Sequence, residues 1–545
     1  MEPTSGWTLS MKRRSFLAVA LLAAFPVASL FATNADQAAA RQVPRSLLLS
    51  ILAAWLLLTV TRLLTRDWAR AAYLTAGFVL LFYSYGHVYS LVEGVSIAGF
   101  NLGRHRYLAP LWGVLAAGWA YATGIRARRR SLNLTPLLAV AAVLLVSPLL
   151  PLAGRSLSLL RPRPAQPTLS PAQVSSASAT SLPDIYYIIV DGYGRSDVLQ
   201  DLYTLDNSDF VSFLERRGFF VASDARSNYS KTILSLASSL NMRYLDDIVQ
   251  SQGPDSTDPR PLIAIIQDSM VQRTLAASGC RTVGFETGYA PTELTHADVY
   301  LSPPSDSSGG VATAWAARGV NEFESLLLET TVLRPVIDKY VQGQNIVRSL
   351  ISQPYQNHRR HILFTLSELP KIASMDGCSF VFAHVLAPHP PFVFGRRGEE
   401  LVPTRPFRLV DVDYYPRSEY IERYRDQLLF LDTQLESTID QILENSDRTP
   451  IIILQGDHGP GAYMDYTAPL TTNMRDRMSI LDAYLVPPDV ASRLYPSITP
   501  VNSFRVLFSG LLGQSWPLLP DESYFTMNDT RRYDLIRVTD RAKTD

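Results

Sequence analysis

The sequence predicts two differently built parts: an α-helical membrane domain of five spans, followed by an α/β sandwich with a mainly parallel central sheet. Three observations predict this division. The formal charge of zero over 545 residues is a cancellation, because 17 basic and 4 acidic residues up to Arg163 (net +13) offset 33 basic and 46 acidic residues after it (net −13). Five stretches of the basic part carry no formal charge and are each long enough, or nearly so, to cross a hydrocarbon core as a helix. In the acidic part, continuous apolar β-branched runs alternate with segments of helical spacing, the pattern of parallel strands buried on both faces.

The spans fall at about 15–31, 46–61, 71–92, 107–125 and 132–154. The second is the shortest, but Arg45 and Arg62 at its ends can extend their stems and keep their guanidinium groups among the headgroups. Lys12, Arg13, Arg14, Arg62, Arg66, Arg70, Arg126, Arg128, Arg129 and Arg130 fall on one side of the membrane, against Arg41, Arg45, Arg104 and Arg106 on the other. The positive-inside rule then places the N-terminus in the cytoplasm and everything beyond residue 154 outside the inner membrane. The opening KRRSFLAVALLAAF also has the form of a cleaved twin-arginine signal. Four further spans speak against it, since an odd number of retained spans exports the C-terminal part without cleavage. His87, inside the third span, reads as a proton-relay residue or as an interfacial histidine beside Tyr83, Tyr85 and Tyr89, and the tyrosines favour the second.

Residues 155–183 turn to Pro, Ser, Ala and Gln and read as a tether. The chain therefore divides into a membrane domain over 1–154, a linker over 155–183 and an extracytoplasmic domain over 184–545. Strands are expected at 185–190, 281–287, 379–386, 450–455 and 478–486, and helices at 208–217, 231–241, 262–278, 321–328 and 420–444. Two cysteines exclude a disulfide-dense scaffold, though Cys280 and Cys378 can pair outside the membrane if the fold brings them together. The acidic balance argues against a nucleic-acid partner.

In such sheets ligands bind at the C-terminal strand ends. The first strand runs into Asp191-Gly192 and the fourth into Gly456-Asp457-His458-Gly459, so oxygen and imidazole donors suited to Zn²⁺ or Mn²⁺ meet at that edge. Either motif alone also reads as an ordinary turn. In SNYSKTILSLASSLN (227–241), Asn228 or Ser230 can cap a helix and place Thr232 in its first turn, where N–H groups and the helix dipole favour an anion. A metal would make the Thr232 hydroxyl a competent nucleophile. The bland alternative is a helix-starting threonine. The third strand ends in FAHVLAPHPPF (382–392), where His384 and His389 can bind a metal or a phosphate, or protonate a leaving oxygen. His389 lies past the strand among Pro388, Pro390 and Pro391, which favours it as the functional one.

In this order, an Asp after the first strand, a Thr about forty residues on, a His-Pro-Pro-Phe turn and a late Asp-His-Gly resemble the alkaline phosphatase superfamily. The likeness is to its membrane-anchored sulfatase-like branch, which includes lipoteichoic-acid synthases, phosphoglycerol transferases and phosphoethanolamine transferases. The resemblance implies that Asp191, Thr232, Asp457 and His458 are metal ligands, that Thr232 is the nucleophile, and that His389, with His384 nearby, meets the substrate phosphoryl group. It implies transfer of a substituted phosphoryl group from a membrane phospholipid to an envelope glycolipid or glycan acceptor through a phospho-threonine. The same residues would serve a phosphodiesterase or phosphatase in which water resolves that intermediate, and a non-enzymatic envelope protein with a degenerate site is the third reading. Two departures stand out. The transferases commonly have Glu where this chain has Asp191. Thr232, Leu234 and Leu236 replace the C/S-x-P/A-x-R motif that true sulfatases need, which makes sulfate ester hydrolysis a poor fit.

Overall fold

The computed structural model describes residues 5–35, 40–93, 95–97, 100–101, 103–125, 132–159, 182–304, 320–340, 346–405, 407–409, 415–513, 515–527 and 531–545. Arg126, Arg128, Arg129 and Arg130, and the linker over 160–181, lie outside the described residues. The chain forms two compact units. The first comprises 1–166 with 307–354 and 403–407; the second comprises 167–306, 355–402 and 408–545. The first unit thus takes in a segment from the middle of the C-terminal part.

The first unit contains five long helices at the expected places: α1 Ser5–Asn34, α2 Pro44–Thr65, α3 Trp68–Val92, α4 His105–Ala120 and α5 Thr135–Leu159. Among the described residues, three helical stretches, Ser10–Asn34, Ala40–Thr65 and Thr135–Ala153, are long and apolar enough to cross a membrane. α4 is only 16 residues long, and α3 carries tyrosine, serine and histidine in its second half. Small side chains let these helices approach: Ala18, Leu22, Ala54, Leu58, Ala72, Ala76 and Ala141 form one buried cluster. His87 is exposed on α3.

The inserted segment docks on these helices through an apolar cluster, in which Phe323 and Leu327 meet Val27, and through polar contacts. α7 (Glu322–Glu329) starts with a capping box in which Asn321 and Glu324 satisfy each other's backbone N–H groups. Glu324 also takes a bidentate contact from Arg45, with Nε 2.6 Å from Oε1. Beyond it, α8 (Arg334–Tyr340) brings Asp338 within 2.9 Å of His105 Nε2. Between them the segment pairs with the backbone of α3: Gly86 N–H donates to Thr330 O and Val332 N–H donates to Phe82 O, both at 2.9 Å. Only glycine permits this approach, since a Cβ on residue 86 would lie 1.9 Å from Glu329 O.

The second unit is built on a seven-stranded sheet. Its strands are β1 Ile185–Val190, β2 Phe220–Val221, β3 Arg281–Phe285, β4 Val299–Leu301, β5 Ser379–Val385, β6 Ile451–Gln455 and β7 Asp482–Leu485, in the spatial order β2-β7-β6-β1-β5-β3-β4. The run from β6 to β4 is parallel; β7 and β2 close one edge antiparallel. Every residue of β1, β5 and β6 is buried, because helices cover both faces and each apolar run can be continuous. The helix expected at 262–278 is two helices, Arg260–Gln267 and Met270–Ala277, because Ser269 opens the second with its own capping box to Gln272. α9 (Ile346–Ile372) and α10 (Arg417–Asn445) are 27 and 29 residues long. Cys280 and Cys378, at the starts of β3 and β5, form a disulfide with Cα atoms 4.5 Å apart, at the end of the sheet opposite the ligand edge.

Candidate active site

Three neighbouring strands, β6, β1 and β5, deliver their polar termini to one edge. Val190 is the last residue of β1, so Asp191 emerges beside the end of β5, and its N–H donates to Val385 O at 3.0 Å. Asp457 and His458 follow β6 on the other side of β1. The parallel register leaves no freedom about which residues meet: Ile189 pairs with His384 and with Gln455.

The side chains converge. His384 Nε2 lies 3.3 Å from Asp191 Oδ2, and His458 Nε2 lies 3.4 Å from both Asp191 Oδ1 and Asp457 Oδ2. Thr232 Oγ1 is 3.2 Å from the same His458 Nε2. His389 stands beyond, its ring centre 6.0 Å from that of His458. Asp191, His384, Asp457 and His458 are each 3 % exposed or less, whereas Thr232 and His389 are half-buried. All six residues singled out in the sequence are thus brought together.

The hydrogen bonds define which ring nitrogens face inward. His458 Nδ1 is 2.9 Å from Gly459 O and His389 Nδ1 is 2.5 Å from Pro390 O; a carbonyl only accepts, so both Nδ1 atoms carry the proton. Thr292 gives its hydroxyl proton to Tyr289 O, so it accepts from His384 Nδ1 at 2.9 Å. His384 and His458 therefore turn Nε2 toward the two carboxylates. Asp191 Oδ1, His384 Nε2 and Asp457 Oδ2 are buried without a hydrogen-bond partner. Orphaned acceptors of this kind are costly unless something electropositive lies among them. Two triads, Asp191 with His389 and His458 and Asp191 with His384 and Asp457, have ligand atoms within 4.8 Å of one another. The donors, their spacing and the carbonyl and hydroxyl groups behind the imidazoles fit a divalent cation. Burial opposes ionisation of Asp191, whereas His389, His384 and His458, when protonated, hold its carboxyl well below the usual carboxylate range.

Two expectations are corrected. Neither Asn228 nor Ser230 caps the helix that carries Thr232. α6 (Thr232–Ser239) begins after Lys231 without a side-chain cap; Asn228 Oδ1 instead accepts from Val501 N–H, and Ser230 Oγ accepts from Thr526 N–H. Thr232 is consequently the first helical residue. His384, expected near substrate, is closed inside the protein between Thr292 and Asp191, so it faces the metal-type cluster rather than an open cleft.

Sequence reasoning passed over the residues that hold this edge in place. Gln427, on α10 and wholly buried, accepts from Val393 N–H at 2.7 Å and donates to Pro388 O at 3.2 Å, which fixes the turn of His389. Tyr424, one turn earlier, donates to Gly192 O and accepts from Gly194 N–H. Gly192 N–H in turn donates to Asp457 Oδ1 at 3.2 Å. Buried Gln and Tyr at i and i+3 on a long helix were the available signal. Nothing in the sequence says which loop they serve.

No protein-family model and no curated protein sequence matches the chain. Among solved structures it is similar to the lipooligosaccharide phosphoethanolamine transferase A of Neisseria meningitidis, at 10% identity over 91% of this chain and 96% of that one, with a TM-score of 0.39. It is also similar to the C-terminal periplasmic domain of EcEptC from Escherichia coli, at 11% identity, 66% and 93% coverage and a TM-score of 0.38. BT1596, a 2-O GAG sulfatase, matches at 12% identity, 65% and 74% coverage and a TM-score of 0.36.

Proposed function

We propose that this chain is a membrane-anchored transferase with five spans and an extracytoplasmic catalytic domain, which moves a substituted phosphoryl group, phosphoglycerol or phosphoethanolamine, from a membrane phospholipid to an envelope acceptor. The observation that carries the proposal is the Thr232 hydroxyl standing 3.2 Å from His458 Nε2, at the rim of a buried cluster whose inward-facing atoms lack partners. Asp191, Asp457, His458 and Thr232 would hold the Zn²⁺ or Mn²⁺, with His384 facing the same centre. Bound there, such a cation supplies neutralisation of the phosphoryl oxygens and acidification of a nearby hydroxyl.

The residues do the rest. Thr232 Oγ1 forms the bond to phosphorus as its proton passes to solvent, and the bond from phosphorus to the diacylglycerol oxygen breaks. His389, whose Nδ1–H is tied to Pro390 O, presents Nε2 and, as imidazolium, gives that oxygen its proton. The acceptor hydroxyl then displaces Thr232, which recovers its proton. Thr232 opens an eight-residue helix, so its N-terminal dipole also favours the phosphate.

The full chain incubated with vesicles of phosphatidylethanolamine or phosphatidylglycerol should release diacylglycerol, and chelation should abolish the release. Release of phosphatidic acid, or turnover undiminished by chelation, contradicts the proposal.

A further inference from the structure

We propose that Arg477 is a positioning residue that sets the separation of Thr232 from His458. The assignment rests on Thr232 being the nucleophile, as above. Arg477 sits on the short helix α11 (Met474–Met478) and is 1 % exposed, the largest wholly buried side chain among the described residues. A guanidinium taken so far from water is costly unless its N–H groups are used, and its planar fork fixes the directions in which they can be used.

Two of those directions point at the two loops that matter. Nε–H donates to Ser230 O at 2.8 Å, two residues before Thr232. Nη1–H donates to Gly459 O at 3.1 Å, one residue after His458. Gly459 O is the same carbonyl that accepts His458 Nδ1–H, so the fork also fixes the atom that orients the imidazole. The main chain repeats the link, with Gly459 N–H donating to Arg477 O and Ser227 N–H to Met478 O, each at 2.7 Å. Gly459 packs so closely that a Cβ there would meet Asp476 O at 2.1 Å. One rigid group therefore joins the nucleophile loop to the histidine loop, and the 3.2 Å contact between Thr232 and His458 is the product of that joint. Displacement of a reacting group by about 1 Å costs on the order of 10²-fold in rate.

The test uses the full-length protein, Arg477→Lys, which keeps the charge but not the fork, and Arg477→Met, which keeps the volume. Hydrogen exchange is read over 227–233 and 456–460, with the strands at 185–190 and 379–385 as controls. We expect exchange to rise at least about tenfold in both loops together and in neither control strand. With phosphatidylethanolamine vesicles, the saturated rate should fall about 10²-fold, less for Lys than for Met, while the half-saturating lipid concentration stays within about threefold. Loosening of one loop alone, a general rise across the domain, an unchanged rate, or failure of both variants to fold overturns the proposal. Wild-type protein that leaves the vesicles untouched sinks the transferase reading instead, and the exchange result still decides whether Arg477 joins the loops.

Discussion

His384 Nε2 lies 3.3 Å from Asp191 Oδ2 on the adjoining strand, both side chains buried, and the far nitrogen of the same ring is anchored at 2.9 Å to Thr292 Oγ1. The relationship makes Thr292 the supporting residue of a metal-type ligand. Thr292→Val removes the acceptor while keeping the shape, and should weaken Zn²⁺ binding about 10- to 100-fold in a competition titration with a chromophoric chelator. Unchanged affinity would show that His384 takes no part in holding the metal.

Asp457 and His458 enter the cluster from the turn after β6. Asp457→Ala should leave purified protein with little bound Zn²⁺ or Mn²⁺ by elemental analysis, because it removes one carboxylate and the anchor of Gly192 N–H together. A full complement of metal in that variant excludes the ligand set proposed here.

Asp432 offers a pH signature away from the site. Burial pushes its carboxyl up to about 8, with the Tyr193 hydroxyl at 2.8 Å acting against the shift and Glu436 adding to it. The folded domain keeps this proton while the unfolded chain loses it near pH 4. The stability is therefore fully present below that pH and is lost as pH rises toward 8, by at most about 1.4 kcal/mol per pH unit. Melting temperatures measured from pH 4 to 8 should fall less steeply in Asp432→Asn than in the wild type. Parallel curves contradict the assignment.

Gly86 tests the inserted segment. With a Cβ 1.9 Å from Glu329 O, Gly86→Val should break the two backbone bonds that tie residues 330–332 to α3, at a cost of about 1–3 kcal/mol. Limited proteolysis should then cut within 320–340 at least about tenfold faster. An unchanged cleavage rate means that the remaining contacts, Arg45–Glu324, His105–Asp338, Arg334–Ser90 and the apolar cluster of Val27 with Phe323 and Leu327 among them, hold the segment without the two backbone bonds.

Much of this was legible in the chain. Charge-free runs located five helices, and continuous apolar runs located β1, β3, β5 and β6, because a strand buried on both faces has no room for alternation. The edge that carries the candidate site followed, since Asp191 and Asp457 come just after neighbouring strands. Short edge strands such as Phe220–Val221 carry too few residues to show a period. A histidine inside an apolar strand reads equally as ligand, substrate contact or core, so the place of His384 needed its partners. Arg477 and Gln427 were hidden because they act through carbonyls, which every residue has. Gly86 lies in a run that reads simply as a helix, and its partner is more than two hundred residues away.

The central claim is that Thr232 carries the transferred group. Intact-mass spectrometry of the full chain after brief incubation with phosphatidylethanolamine or phosphatidylglycerol vesicles, followed by peptide mapping, tests it directly. A mass increase equal to the phosphorylated head group is expected, confined to the peptide containing Thr232, absent in Thr232→Ala and reversed by an acceptor. Diacylglycerol release without an adduct in the wild type, or at an undiminished rate in Thr232→Ala, contradicts it.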